Sequence, residues 1–491
     1  MKPPVPASEI GRAAFRGSFS TLSWQVSRII LNFVSVIAMA RLLSPEDIGI
    51  IAMVLAVTGL GDLVRDFGLS MAAVQAKTIS DAERTNLFWA NVAISLALFA
   101  ALLVLAPHLA VVFSDVRLTQ VLWLCSSVIL FNGACAQFKA DLNRNLRFGI
   151  LGLVEAGSQA IGLCLGILVA YLTGSYMALV VMLLATAISE LAMAASFASW
   201  RPGAPDLKVS ITRFAKFGAG LAGTQLLAYL AKRGDNVVLG YGWGAAAVGL
   251  YDRAYSLVMA PVTQILVPLT RVAVPLLGQL RDDDDLLLAS LKKVQLCTAI
   301  CASSAYGLIG GTAGTVIPWL LGESWTDTSI IVQAMVFGGV FRTFAQVPYW
   351  IFIVKGRTGS QFLFHLFAQP FIISAIIIGA IWGGFGIALS LSVSYLLVWL
   401  AQMAWVQKVT GVKVGEITLC GFICFIVFFI PMYIIPVAVI RVFGDGFFAI
   451  SIASEILYFI LAATFWPASR SVLGEVVAVA FKRNKQGKEQ A

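Results

Sequence analysis

Charge is what this sequence has least of: Asp, Glu, Lys and Arg together make up 12% of its 491 residues, about half the share in a water-soluble domain. That excludes a soluble globule of this length. It excludes disorder as well, which needs few apolar and many charged residues. Histidine is nearly missing, with two residues, and the seven cysteines (125, 135, 164, 297, 301, 420 and 424) all lie in apolar runs with no histidine beside them. They read as small buried thiols, so neither disulfides nor a zinc site is expected. The first twenty residues carry Lys2, Arg12 and Arg16 without a short apolar stretch ending in a small-residue cleavage site, and no removable signal peptide is expected. A Walker sequence is also lacking, since Lys355-Gly356-Arg357 has the wrong order. ATP hydrolysis by this chain is therefore not expected.

Apolar residues are what the sequence has in excess: 59% of the chain is hydrophobic and the mean hydropathy is +0.89. Runs of helical length begin at Leu22, Ile48, Leu87, Leu118, Ile150 and Met177. After the polar stretch Arg201 to Lys216, six more begin at Gly218, Leu250, Val294, Ile330, Phe362 and Phe385, and two others at Ile417 and Phe447. The expected fold is an all-α polytopic membrane protein with about fourteen transmembrane helices. Its expected parts are a cytoplasmic N-terminal segment (1–17), a six-helix N-lobe (18–200), a cytoplasmic linker (201–217), a six-helix C-lobe (218–410), an extra helix pair (411–468) and a basic cytoplasmic tail (469–491).

Orientation follows from the basic residues, because cytoplasmic loops retain positive charge. Of 34 Lys and Arg, 24 fall in the termini and one set of alternate loops, three (Arg41, Arg117 and Arg441) in the opposite set and seven within spans. Both termini are expected in the cytoplasm. The basic balance belongs to loops lying against anionic lipid, so nucleic acid is not implied. On the opposite face the longest connection is Ala106 to Arg117. Enzymes that act outside the membrane usually carry catalytic carboxylates on a long external loop, and none fits here.

An offset of about 200 residues brings the two halves into partial register. Arg12-x4-Gly17 matches Arg213-x4-Gly218, Gln25 matches Gln225, and Ile48-Gly49-Ile50 matches Val248-Gly249-Leu250. Two six-helix halves in one orientation are what a parallel-repeat transporter shows, with a site near the bilayer midplane. Chance similarity between apolar sequences is the alternative.

A cation at the centre of a span costs about 2.5–3.5 kcal/mol on insertion scales, so the seven must face a partner or a wet cavity. Gln25, Arg28 and Asn32 share a stripe of the first span, with Arg28 about 12 Å into the helix. Gln225, Lys232 and Asn236 form the corresponding stripe of the seventh span, next to Arg233, and Arg342 lies near the middle of the tenth. These eight residues are the candidate substrate-binding set. Arg28 and Arg342 lead it because neither has a carboxylate within a helical turn of its own span. Asp62, Arg65 and Asp66 either neutralise one another or serve ion coupling, and Asp235 is placed to offset Lys232 or Arg233. Glu155 and Glu190 either bind a coupling Na⁺ or proton or pair with the unpartnered arginines. Apart from such an ion no cofactor or metal is expected. Arg253 and Arg271 read as snorkelling to the headgroups, His365 as a packed histidine, and the run Asp282 to Asp285 as solvated surface rather than a metal-bound nucleotide-sugar site.

Two stretches carry a family resemblance: Arg41 to Val54, reading RLLSPEDIGIIAMV, and Gly234 to Pro261, reading GDNVVLGYGWGAAAVGLYDRAYSLVMAP. Both resemble Wzx-like polysaccharide flippases of the multidrug/oligosaccharidyl-lipid/polysaccharide exporter superfamily. The resemblance implies two six-helix lobes in a V-shaped, MATE-like arrangement, alternating access, and residence in the bacterial inner membrane. It also implies an undecaprenyl-pyrophosphate-linked oligosaccharide as cargo, for exopolysaccharide, O-antigen or capsule assembly, with a polymerase and a chain-length regulator as partners. Asp235 and Asn236 are the polar pair of the matching motif, and the last two spans resemble the extra pair found in some members.

The expected mechanism is replacement of the head group's lost water by a cationic central cavity, with arginine suited to a diphosphate by its forked donors. A cation-coupled multidrug antiporter of the same fold would carry excess cavity acid, and a polytopic glycosyltransferase or polymerase would need longer external loops. Arg28→Ala is expected to abolish transport without loss of insertion; normal polymer yield from that variant, with protein amount checked by immunoblot, would overturn the cationic-cavity reading.

Overall fold

The structure is a computed structural model that describes residues 7–66, 69–76, 78–206, 208–444, 446 and 448–465. Side chains are described within these ranges except at 7–23, 66, 71–72, 75, 215–228, 230–232, 260–265, 267–268, 271–272, 463 and 465. Among the described residues every regular element is helical. Ten helices there are long and apolar enough to cross a membrane, and a shorter apolar helix runs from Phe448 to Ala462. The chain divides into two units, Met1–Asp252 and Arg253–Ala491.

The first unit contains α1 (Ala7–Leu42), α2 (Pro45–Asp66), α3 (Leu69–Gln75), α4 (Asp81–Val112), α5 (Arg117–Arg144), α6 (Phe148–Thr173), α7 (Met177–Phe197) and the beginning of α8 (Thr212–Gly278). Helix α5 is its hub and packs against α2, α3, α4, α6 and α7. Local sequence sets several boundaries. Ser80 and Glu83 form a reciprocal capping box that starts α4 by satisfying donors the first turn leaves open. Asp115 in the α4–α5 connection accepts from the Arg117 side chain and backbone, which holds its carboxyl below the ordinary range. That tie is complete at neutral pH and is lost only as acid takes the pH below the usual carboxylate value. At the basic ends of the helices, Phe88, Phe138 and Trp200 pack ring on ring. Beside them buried Asp141 accepts from Arg84, Asn145 and Ser199, tying the stretch after α7 to α4 and α5.

The two spans expected at Gly218 to Leu239 and Leu250 to Leu277 form one hydrogen-bonded run that breaks at Gly244, whose φ of 76° and ψ of −177° lie outside the helical region. A side chain is strained at such a φ, which glycine tolerates. The corresponding break between α1 and α2 falls at Leu43 and Ser44, in register with Gly244 at the repeat offset. Each break is followed by the same contact. A methyl group added at Gly49 would stand 1.7 Å from the Ala245 carbonyl oxygen, and one added at Gly249 would stand 1.8 Å from the Pro45 carbonyl oxygen. The two segments therefore cross with backbone against backbone, each glycine four residues beyond the proline or alanine that its counterpart touches. The sequence match at Ile48-Gly49-Ile50 and Val248-Gly249-Leu250 coincides with this reciprocal crossing.

The second unit contains the rest of α8, then α9 (Asp284–Leu321), α10 (Thr326–Phe344), α11 (Gln346–Val354), α12 (Thr358–Gly379), α13 (Gly383–Thr410), α14 (Gly415–Cys424), a π-helical turn (Phe425–Phe429), α15 (Ile430–Phe443) and α16 (Phe448–Phe465). Helix α9 packs against α10, α14 and α15, while α13 packs against α10 and α12. The aromatic rings of Phe337, Phe425, Phe429 and Tyr433 fill the space between α10 and the π-helical stretch. The Tyr458 hydroxyl donates to the Val427 carbonyl at 2.7 Å and fastens α16 to that turn.

Valine at position 49 or 249 has no room at the crossing. Each substitution is expected to cost about 1–3 kcal/mol, as for other overpacked sites, and to lower the thermal unfolding midpoint in detergent. Valine at Gly242, where an added methyl meets nothing within 4 Å, is the control.

Candidate functional site

The first unit encloses a cavity of about 500 Å³, inside the range of small-molecule sites. Five helices line it. Asn132, Cys135, Ala136, Lys139, Ala140 and Asn143 come from one face of α5, as spacings of three, four and seven residues require. Helix α2 adds Asp62 and Arg65 near its end, α3 adds Ser70, α6 adds Glu155 two turns from its start, and α7 adds Glu190 near its end. All of these positions lie toward the helix ends that join the strongly basic loops.

The charged groups are paired. Arg65 Nε donates to Asp62 at 3.2 Å and its Nη1 to the Asn132 carbonyl at 3.2 Å, while the Asn132 amide donates to both Asp62 oxygens. Lys139 Nζ lies 2.6 Å from Glu190 and 3.3 Å from Glu155. The second Glu155 oxygen takes Arg28 Nη1 at 2.6 Å. The result is a chain Arg28–Glu155–Lys139–Glu190 beside a second pair, Asp62–Arg65. An unpaired charge among apolar spans is expensive, and this arrangement removes that cost while keeping donors and acceptors facing a cavity.

The other candidate residues are placed as follows. Gln25 and Asn32 stand on α1 around Arg28, Asn32 exposed. The side chains of Gln225, Lys232 and Asp66 lie outside the described residues. Asp235 is buried and accepts from the Tyr251 hydroxyl and the Asn236 backbone N–H, both at 2.8 Å. Arg233 pairs at 3.2 Å with Asp252, which also takes the Asn236 amide. Asp235 thus holds a hydroxyl, and the ion-pair partner of Arg233 is Asp252, 19 residues further along the chain. In the second unit Arg342 donates to the Tyr255 hydroxyl at 3.3 Å and lies 3.6 Å from the Met259 sulfur and 5.5 Å from the centre of the Tyr395 ring. No carboxylate stands within ion-pairing distance of it among the described residues. Asp283 caps α9 and Asp284 pairs with Lys355, as expected of a surface run.

Sequence reasoning missed Lys139, Asn132, Asp252, Tyr255 and Tyr395. The apolar run ends at Ala136, whereas α5 continues as a helix to Arg144 and carries Lys139. The seven-residue spacing of Asn132 and Lys139, with Cys135 between them on the same helix face, is the available signal. Asp252 and the two tyrosines become neighbours only through tertiary packing.

Lys139→Met leaves Glu155 and Glu190 facing each other without their shared cation. A loss of about 1–3 kcal/mol is expected, read as a lower thermal unfolding midpoint, and the added change Glu190→Gln should restore part of it.

Comparison with known proteins places this geometry. The profile of the family described as polysaccharide biosynthesis protein matches residues 38–330. Lipopolysaccharide biosynthesis protein WzxC of Escherichia coli (strain K12) is 23% identical over 370 residues, covering 75% of each chain. Among solved structures, lipid II flippase MurJ in an inward closed conformation is similar with a TM-score of 0.72, covering 92% of this chain and 98% of that one at 16% identity. An inward-facing multidrug resistance MATE family transporter of the MOP superfamily is similar with a TM-score of 0.57, covering 82% and 98% at 14% identity. At such identities the two structures establish a shared fold.

Proposed function

We propose, because this chain belongs to the polysaccharide biosynthesis protein family, that it translocates an undecaprenyl-pyrophosphate-linked oligosaccharide repeat unit across the bacterial inner membrane. It acts as a transporter and not as an enzyme, by alternating access between two six-helix lobes, with fourteen helices in all and both termini in the cytoplasm. The observation that carries this reading is the cavity of the first unit, a site lined by ion pairs and amides and sunk among apolar spans. Pairing removes the cost of placing charges there, and the donors and acceptors left facing the cavity suit a hydrated cargo.

The cargo's diphosphate requires cations that are not already neutralised. Arg342, held by two tyrosines and a methionine, is suited to that role because its remaining guanidinium donors match a phosphate's oxygens. Lys232 is proposed for the same role, whereas Arg28 is already engaged by Glu155. With the cytoplasm negative, outward movement of the anionic head gains about 2.3 kcal/mol per charge per 100 mV. The return of a cationic site inward is favoured by the same field. Coupling to Na⁺ or H⁺ through Glu155, Glu190 or Asp62 is compatible with this cycle, and a polymerase and chain-length regulator are the expected receivers of the product.

A multidrug antiporter shares the fold, but the acids of the first unit's cavity are matched by cations, which disfavours a cationic cargo. In a deletion strain, lipid-linked repeat units are expected to accumulate on the inner leaflet, measured by their inaccessibility to an external glycosidase in spheroplasts. Accumulation of unpolymerised units on the outer leaflet would overturn the reading in favour of a polymerase. Arg342→Ala is expected to lower translocation about tenfold or more, and Arg342→Lys to restore little of it.

A further inference from the structure

We propose that the cavity of the first unit is a subsite for uncharged sugar residues, and that it does not hold the diphosphate; the inference rests on the flippase reading above. The argument is one of charge balance. Asp62, Glu155 and Glu190 face Arg65, Lys139 and Arg28, three carboxylates against three cations, each within 3.3 Å of a partner.

An anion entering this cavity finds every cation already engaged. Arg65 is on Asp62 and the Asn132 carbonyl, Lys139 lies between two glutamates, and Arg28 is on Glu155. To bind, the anion has to displace a carboxylate that has nowhere else to go. An organic cation as cargo meets the mirror obstacle, because the charge of each acid is already offset. A hydroxyl displaces nothing. A carboxylate offers about four lone-pair sites, and those of Asp62, Glu155 and Glu190 are only partly used. Sugar hydroxyls, donors and acceptors at once, can therefore add to the ion pairs without breaking them. Asn143, on the same face of α5 as Lys139, supplies an amide that can donate and accept.

Size and place agree with this assignment. About 500 Å³ is ample for a sugar residue. On the orientation that the loop charges imply, the cavity lies toward the cytoplasm, where the repeat unit is presented. Substrate selection would then act on the glycan before the head group is carried across.

The test uses the full chain in lipid nanodiscs and saturation-transfer NMR. The probes are methyl β-glucoside, methyl β-galactoside, methyl β-glucuronide and inorganic pyrophosphate. Saturation transfer to a neutral glycoside is expected, undiminished by pyrophosphate or sodium chloride, and Asn143→Ala should weaken it about threefold. Glu190→Gln leaves the cavity with one excess cation and should raise affinity for the glucuronide about tenfold. A gain of binding cannot come from misfolding. Displacement of the glycoside by pyrophosphate, or unchanged glucuronide affinity in Glu190→Gln, would overturn the inference. Translocation of lipid-linked oligosaccharide by the same preparation is read separately. Translocation without glycoside binding sinks this inference alone, whereas absence of translocation by the unaltered chain sinks the flippase reading.

Discussion

The cost of stripping water from an ionised side chain governs this molecule. Over most of its length the solvent is hydrocarbon, and there a charge survives only beside an opposite charge, a dipole or water. The consequences are visible in each unit. Arg28, Lys139 and Arg65 each meet a carboxylate, Arg233 meets Asp252, and Arg342 is wrapped by phenolic rings and a thioether. Helix packing brings these encounters about. Helix α5 touches five neighbours, and the partners of its Asn132 and Lys139 arrive from three of them, α2, α6 and α7.

Much of the architecture was legible in composition and periodicity. Long apolar runs report helices in lipid directly, since no other element satisfies its own backbone there except a closed barrel. The match between the glycines at positions 49 and 249 was legible too, and the two meet at one crossing. Helix ends were harder to read. Apolarity stops where the lipid stops, while backbone hydrogen bonding continues, so that Lys139 lies on α5 beyond the end of the apolar run. The site itself was half legible. Arg28, Glu155 and Glu190 stood out as charges within spans, but their pairing is a property of four helices meeting, which spacing along one chain cannot express. The partner of Arg233 shows the same limit: Asp235 is nearer in sequence, yet Tyr251 claims it and Asp252 takes the arginine.

The two polar sites differ in charge. Ion pairs that neutralise one another form a polar surface without net charge, whereas a guanidinium among tyrosines keeps its own. The proposed cargo is divided in the same way, into a polyol and a diphosphate. The proposal gives both kinds of surface a reason to stand in a chain so poor in charge.

The reciprocal glycine crossing fixes what kind of force holds its two segments together. Where two stretches touch through hydrogens facing carbonyl oxygens, the adhesion is dispersion with at most weak C–H···O attraction. Such a seam contains no salt bridge and obliges no ion to shed water. Its strength should accordingly be indifferent to ionic strength and acidity.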